Sequence, residues 1–254
     1  MNAIVLAGDK KRKNNDAENT GSYLSDQVDN KALIRIKDKY MIEYVIDVLK
    51  GCSSIEKIAV VGPKDKLEPV IGNKVDYIVE GTDSIVDNTL LALEYFKTDK
   101  EVLISTSDIP MITVEAVEDF ISQARQNNAD LYYSVVDKRV NDKRFPGIRR
   151  TYARLREGQF TGGNVFMFNP AVTDRCKNFM EKMLEYRKSP AKMAKVLGFG
   201  FLIKLVLGML TIKAVQQKCE KLLGIRGEVI ISSYPEIGND IDKPEDVEYI
   251  LKFM

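Results

Sequence analysis

Short apolar runs alternate with segments of helical periodicity along the first half of this chain, and that alternation constrains the fold most. The runs 3–7, 58–61, 77–79, 101–105 and 131–136 read as strands. Between them, 41–49, 89–96 and 114–126 carry apolar residues at helical spacing; in the first of these they are Met41, Ile42, Val45, Ile46 and Leu49. Strand–helix–strand repetition of this kind predicts an α/β fold. Its sheet is mostly parallel and twisted, with helices on both faces. Ligands of such sheets bind beyond the carboxyl ends of the strands. The polar ends to examine are therefore Gly8, Gly62, Glu80-Gly81 and Ser107-Asp108.

Two stretches interrupt the alternation. Residues 9–30 form a polar loop containing the basic run Lys10-Lys11-Arg12-Lys13, too long for an ordinary strand–helix connection. Residues 174–227 are helical in character and read as a cap inserted in one domain spanning 1–254.

Composition narrows the chemistry. The 254 residues hold 38 Lys+Arg against 37 Asp+Glu, a net charge of +1, so the basic excess of a dedicated nucleic-acid binder is missing. There is no histidine, which excludes Ser-His-Asp and Cys-His catalysis, a His base and His-ligated zinc. Any catalysis must rest on carboxylates, Lys, Arg, backbone amides or a hard metal ion. Cys52, Cys176 and Cys219 are scattered, as expected in a reducing compartment. The chain enters its first strand with no basic region before it. That argues against a signal peptide and for a cytoplasmic protein.

Several residues can carry phosphate or metal chemistry. Leu6-Ala7-Gly8 ends the first strand, and a glycine there lets a base or phosphate approach the backbone closely; an ordinary strand-end turn is the simpler reading. Lys31 follows the loop, ahead of an apolar stretch, where it either reaches back to phosphates or stays at the surface. Asp108 follows the fourth strand and precedes Ile109-Pro110, a place for a Mg²⁺ ligand or for a cap of the next helix. Asp240 and Asp242 flank Ile241 and point to one side if the segment is extended; Asp242 also stands where a helix cap belongs. Arg149 and Arg150 belong to a basic cluster that is either a solvated loop or an acceptor contact. Gly162-Gly163-Asn164, just before the apolar run 165–168, can hold an acceptor phosphate or sugar.

Taken together and in this order, these motifs resemble the GT-A type nucleotidyltransferases, in particular the molybdenum-cofactor guanylyltransferase-like branch. The resemblance covers roughly 1–136 and 228–254, with Thr161 to Asn164 as a further anchor. It implies a GT-A, Rossmann-like fold and a catalytic set of Lys31, Asp108 and Asp240. Asp108 and Asp240 would hold Mg²⁺. Leu6, Ala7, Gly8, Lys11, Arg12, Gly81 and Asn88 would bind the nucleotide, GTP or CTP. Arg149, Arg150, Gly162, Gly163 and Asn164 would meet the acceptor. Asp9 stands where the family has a second glycine, and the usual Arg-Met-Gly portion of the loop is not recognisable. The implied reaction moves NMP from an NTP to a phosphorylated small molecule, including a lipid-linked one, with release of pyrophosphate. The alternatives are a glycosyltransferase of the same fold, disfavoured because Thr106 replaces the first Asp of Asp-x-Asp, and a non-catalytic nucleotide-binding module.

The segment 196–212 is almost wholly apolar and rich in basic residues at its flanks. Seventeen residues inside an enzyme-like domain do not make a span. Two readings are open: a buried helical pair capping the sheet, or an exposed apolar face making peripheral contact with an anionic membrane.

Overall fold

The structure, a computed structural model, describes residues 1–8, 30–82, 84–97, 99–177, 186, 189–242 and 244–254. The basic run Lys10 to Lys13, with Lys11 and Arg12, and the Asp9 departure lie outside the described residues.

The sheet predicted from the alternation is present. In spatial order its strands are β5 (Tyr77–Glu80), β4 (Ile58–Gly62), β1 (Asn2–Leu6), β6 (Val102–Thr106), β9 (Gln159–Phe168), β7 (Leu131–Asp137) and β10 (Gly227–Ser232). A short strand, β8 (Ala153–Arg154), pairs with β9. Strand β9 runs antiparallel to both β6 and β7, and the other main pairs are parallel. Central strands β1 and β4 are continuous apolar runs because helices cover both of their faces. A separate hairpin joins β2 (Arg35–Ile36) to β3 (Lys39–Tyr40).

Period-two alternation sorts the strand side chains into two layers. Ala3, Val5 and Leu103 face α1 (Met41–Gly51) and α4 (Val114–Ala124), meeting Ile42, Ile46, Val117 and Phe120. Ile4, Ala59 and Ile104 face the other way, toward α3 (Ile85–Leu93) and the segment around Val172 and Cys176. Helix α1 buries Met41, Ile42, Val45, Ile46 and Leu49, the stripe read from the sequence. Two further helices, α2 (Lys64–Ile71) and α5 (Lys138–Arg144), are too short or too polar to show such a stripe.

A third, smaller cluster joins Ile34, Ile36 and Met41 to Ile241 and Ile250. It clamps the residues after Lys31 against the Asp240–Asp242 loop. The last helix there, α9 (Pro244–Ile250), supplies Ile250.

The region 174–227 contains α6 (Pro190–Leu197), α7 (Phe199–Val206) and α8 (Ile212–Leu223), and its last residue opens β10. Helical character is as expected, but a buried capping pair is not what forms. No residue of α7 is buried, and Phe199 and Val206 are 72% and 82% exposed. Among the described residues, no helix is long and apolar enough to cross a membrane.

Candidate active site

The carboxyl ends of β1, β4, β5 and β6 gather at one edge. Backbone bonds continue the sheet past the strand ends: Ala7 N–H donates to Val61 O (2.7 Å), Gly81 N–H to Gly62 O (2.9 Å) and Ser107 N–H to Leu6 O (3.1 Å). Gly8 lies where the chain leaves β1. A methyl group there would sit 2.7 Å from Asn88 Nδ2, so close approach, not turn geometry, requires the glycine. Asn88, almost wholly buried, binds the next loop with both ends of its amide. Its Oδ1 accepts from Thr82 N–H (2.5 Å) and its Nδ2 donates to Thr82 O (3.0 Å). Leu6, Ala7, Gly8, Gly81 and Asn88 are therefore brought together, with Asn88 holding the walls in place.

Lys31 is fixed from its N-terminal side. Buried Asn30 donates through Nδ2 to Ala7 O (2.9 Å) and accepts from Ala32 N–H (2.8 Å), tying the Lys31 turn to the end of β1. From that turn the Lys31 ammonium reaches Asp108 Oδ2 and Asp242 Oδ1, each at 2.7 Å. Burial alone would lower the Lys31 pKa, but the two carboxylates outweigh it and hold the ammonium above its ordinary value. Lys31 is thus built into the site.

Asp108 does not cap the following helix. That role falls to Thr113, whose side chain accepts from Ala116 N–H. The backbone carbonyl of Asp108 accepts from Ile241 N–H (2.9 Å), which pins the C-terminal loop across the end of β6. Because Ile241 is fully buried, Asp240 and Asp242 turn to the same side. One carboxylate oxygen from each of Asp108, Asp240 and Asp242 lies within 4.8 Å of the others.

The Asp242 carboxylate is engaged by Lys31, and its own N–H donates to Asp246 Oδ2 (2.9 Å). Sequence reasoning weighed this residue as a helix cap and, through its alternation with Asp240, as a carboxylate on the same side. Asn30 was missed outright; an Asn directly before a Lys carries no pattern to find it by.

Arg150 binds Asp240 through its guanidinium and also donates to the Asp240 carbonyl (3.4 Å). Burial and the Asp108 charge raise the Asp240 pKa, with Arg150 opposing them. In Asp242, burial pushes upward but Lys31 prevails and lowers it. Of the two arginines expected at an acceptor, Arg150 thus belongs to the acidic cluster and Arg149 is exposed.

Gly162, Gly163 and Asn164 lie inside β9 rather than before it. A side chain on Gly163 would collide with Ser134 Oγ, and one on Gly162 with the Tyr133 hydroxyl. Asn164 donates through Nδ2 to Ile237 O (3.2 Å), joining β9 to the turn that precedes Asn239 and Asp240.

The donor set suits a hard divalent cation. It is all oxygen, and among the described residues the buried Asp108 Oδ1 has no hydrogen-bond partner.

A mostly parallel sheet, a glycine at the carboxyl end of its central strand and a Lys-bridged carboxylate cluster beside it are the arrangement of an α/β transferase. Residues 3–195 match the MobA-like NTP transferase domain, and the chain belongs to that family; it is a nucleotidyltransferase. Among solved structures, a hypothetical transferase from Thermus thermophilus is similar at 33% identity and a TM-score of 0.82. The match covers 97% of this chain and 98% of that one. The CMP:2-keto-3-deoxy-manno-octonic acid synthetase complexed with CTP shares the fold at 12% identity and a TM-score of 0.60, covering 100% and 98% of the two chains. The 4-diphosphocytidyl-2C-methyl-D-erythritol synthase of Anaerococcus prevotii does so at 12% and 0.59, covering 99% and 94%. A curated relative, the bifunctional protein GlmU of Thermodesulfovibrio yellowstonii, is 30% identical over 104 residues. The match spans 40% of this chain and 23% of GlmU.

Proposed function

We propose that the protein transfers NMP from an NTP to a phosphorylated small-molecule acceptor and releases pyrophosphate. The observation that carries this reading is the convergence of Lys31, Asp108, Asp240 and Asp242 at the carboxyl edge of the sheet.

In this reading the nucleotide lies over the exposed backbone of Gly8 at the carboxyl edge of the sheet, with Asn88 fixing the Thr82 backbone beside it. Lys31 exchanges its carboxylate partners for the phosphates and neutralises charge that builds on the leaving pyrophosphate. Asp108 and Asp240 would hold Mg²⁺, with Asp242 beside them. The ion would supply charge stabilisation at the α-phosphate and orientation of the acceptor. Arg150 keeps Asp240 aimed at the cluster. Most of the catalysis is positioning and electrostatics. An acceptor phosphate is already anionic and needs no base, which suits a chain without histidine. CTP is favoured as donor by the nucleotide present in the synthetase complex of the same fold, with GTP the alternative.

The test is pyrophosphate release from each of the four NTPs with Mg²⁺, over a panel of sugar and polyol phosphates. The expected result is release that depends on one NTP, one acceptor class and the metal. Hydrolysis of sugar nucleotides without pyrophosphate would instead indicate glycosyl transfer. Silence with every pair, together with tight NTP binding, would indicate a non-catalytic nucleotide module.

A further inference from the structure

Helix α7 carries the least-covered apolar surface among the described residues. Phe199, Ile203, Val206 and Leu207 recur at helical spacing and so share a face. They are 72%, 43%, 82% and 61% exposed, and Met209 just beyond is 48% exposed. Single exposed apolar residues are ordinary; a contiguous stripe marks an interaction surface.

Charge identifies the partner. From residue 189 to 219 there is no Asp or Glu, whereas Lys192, Lys195, Lys204, Lys213 and Lys218 fall in the same stretch. Lys204 lies on α7 itself, and the Lys218 ammonium sits 5.9 Å from the centre of the Phe201 ring. In a chain of net charge +1, this concentrates positive charge along the segment that carries the greasy stripe. Association of two copies through this face would bring two such segments together and repel. An anionic bilayer satisfies both features: headgroups meet the lysines and acyl chains receive the stripe. Eight residues cannot cross a membrane, so the helix would lie in its interface.

We infer that the face of Phe199, Ile203, Val206 and Leu207 docks the protein peripherally on an anionic membrane surface. The docked segment is also tied to the site. Arg156 N–H donates to Leu210 O (2.8 Å), and Ile212 N–H to Glu157 Oε1 (3.0 Å). Gly208 packs against the Arg154 side chain. The hairpin they grip begins at β8, a few residues after Arg150, so docking turns this side of the molecule toward the lipid. Membrane binding is read without turnover, so its outcome is independent of the proposed reaction.

The experiment is co-sedimentation of the full chain with phosphatidylcholine vesicles, with and without phosphatidylglycerol. Binding is expected only with phosphatidylglycerol at low salt and is released at ~0.5 M salt, where charges are screened within a few ångströms. Phe199→Ser with Val206→Glu should weaken partitioning by roughly tenfold or more without moving the melting temperature, since both side chains are exposed. Replacing Lys192, Lys195 and Lys204 with Gln should do the same through charge alone. The inference is overturned by failure to sediment with anionic vesicles at low salt. It is equally overturned by unchanged binding of both variants, or by a solution dimer that Val206→Glu dissolves.

Discussion

Asp108 meets three groups at once: Lys31 at its Oδ2, the Ile241 amide at its carbonyl and the carboxylates of Asp240 and Asp242 across the cluster. Replacing it with Asn removes the charge while keeping the shape. Asp108→Asn should lower metal-dependent transfer by about 100-fold or more, with the melting temperature changed by only a few degrees. Full Mg²⁺-dependent activity in that variant would dismiss the metal assignment. Lys31→Ala should weaken NTP binding and turnover together, because a charge-assisted phosphate contact is lost; titration of the variant with each NTP measures it. Gly8→Ala makes a different demand. Its added methyl would press on an amide held at both ends, so we expect a loss of about 1–3 kcal/mol in denaturant melts and poorer nucleotide binding. If Gly8→Ala melts and binds like the parent, the Asn88 contact is softer than its hydrogen bonds indicate.

At the scale of elements, the small cluster around Ile241 decides whether the site exists. Ile241 is fully buried between the half-buried Asp240 and the exposed Asp242, and packs with Ile34, Ile36, Met41 and Ile250. Ile241→Ala should cost about 2–5 kcal/mol and loosen Asp240 and Asp242 along with it. Ile241→Val should cost about 1 kcal/mol and keep metal-dependent activity. Equal activity of the two variants at a temperature where both are folded would separate packing from positioning. The strands and long helices were legible because their apolar residues repeat with period two or 3.6, as in α1 and α4. Strand β9 was only partly legible: its glycines look like a loop, yet they are required by Tyr133 and Ser134 packed against the strand. Residues Asp108 and Lys31 could be read from position, whereas the Arg150–Asp240 pair depends on residues 90 apart in sequence and leaves no local pattern. The exposed stripe on α7 reads in sequence like core, since hydropathy does not record which side of a helix is covered.

For the whole molecule, nucleotide binding should be visible as stability. A ligand that binds only the folded state at about 100 times its dissociation constant adds about 2.7 kcal/mol. For a domain of this size that corresponds to a melting shift of roughly 5–10 °C. A thermal-shift series of the four NTPs with Mg²⁺ should therefore single out one, and equal shifts from all four would mean that the site does not discriminate bases. The site itself is stitched from distant chain: Lys31 and Asp242 are 211 residues apart, and Lys31 and Asp108 are 77 apart. Bringing such points together carries the loop-closure entropy of most of the polypeptide, and long-range contacts of this kind form late. Enzyme activity is thus a late reporter of folding. During refolding, the far-ultraviolet signal of the sheet and helices should return first and the capacity to bind nucleotide last, so that a misassembled chain with its secondary structure intact is catalytically silent.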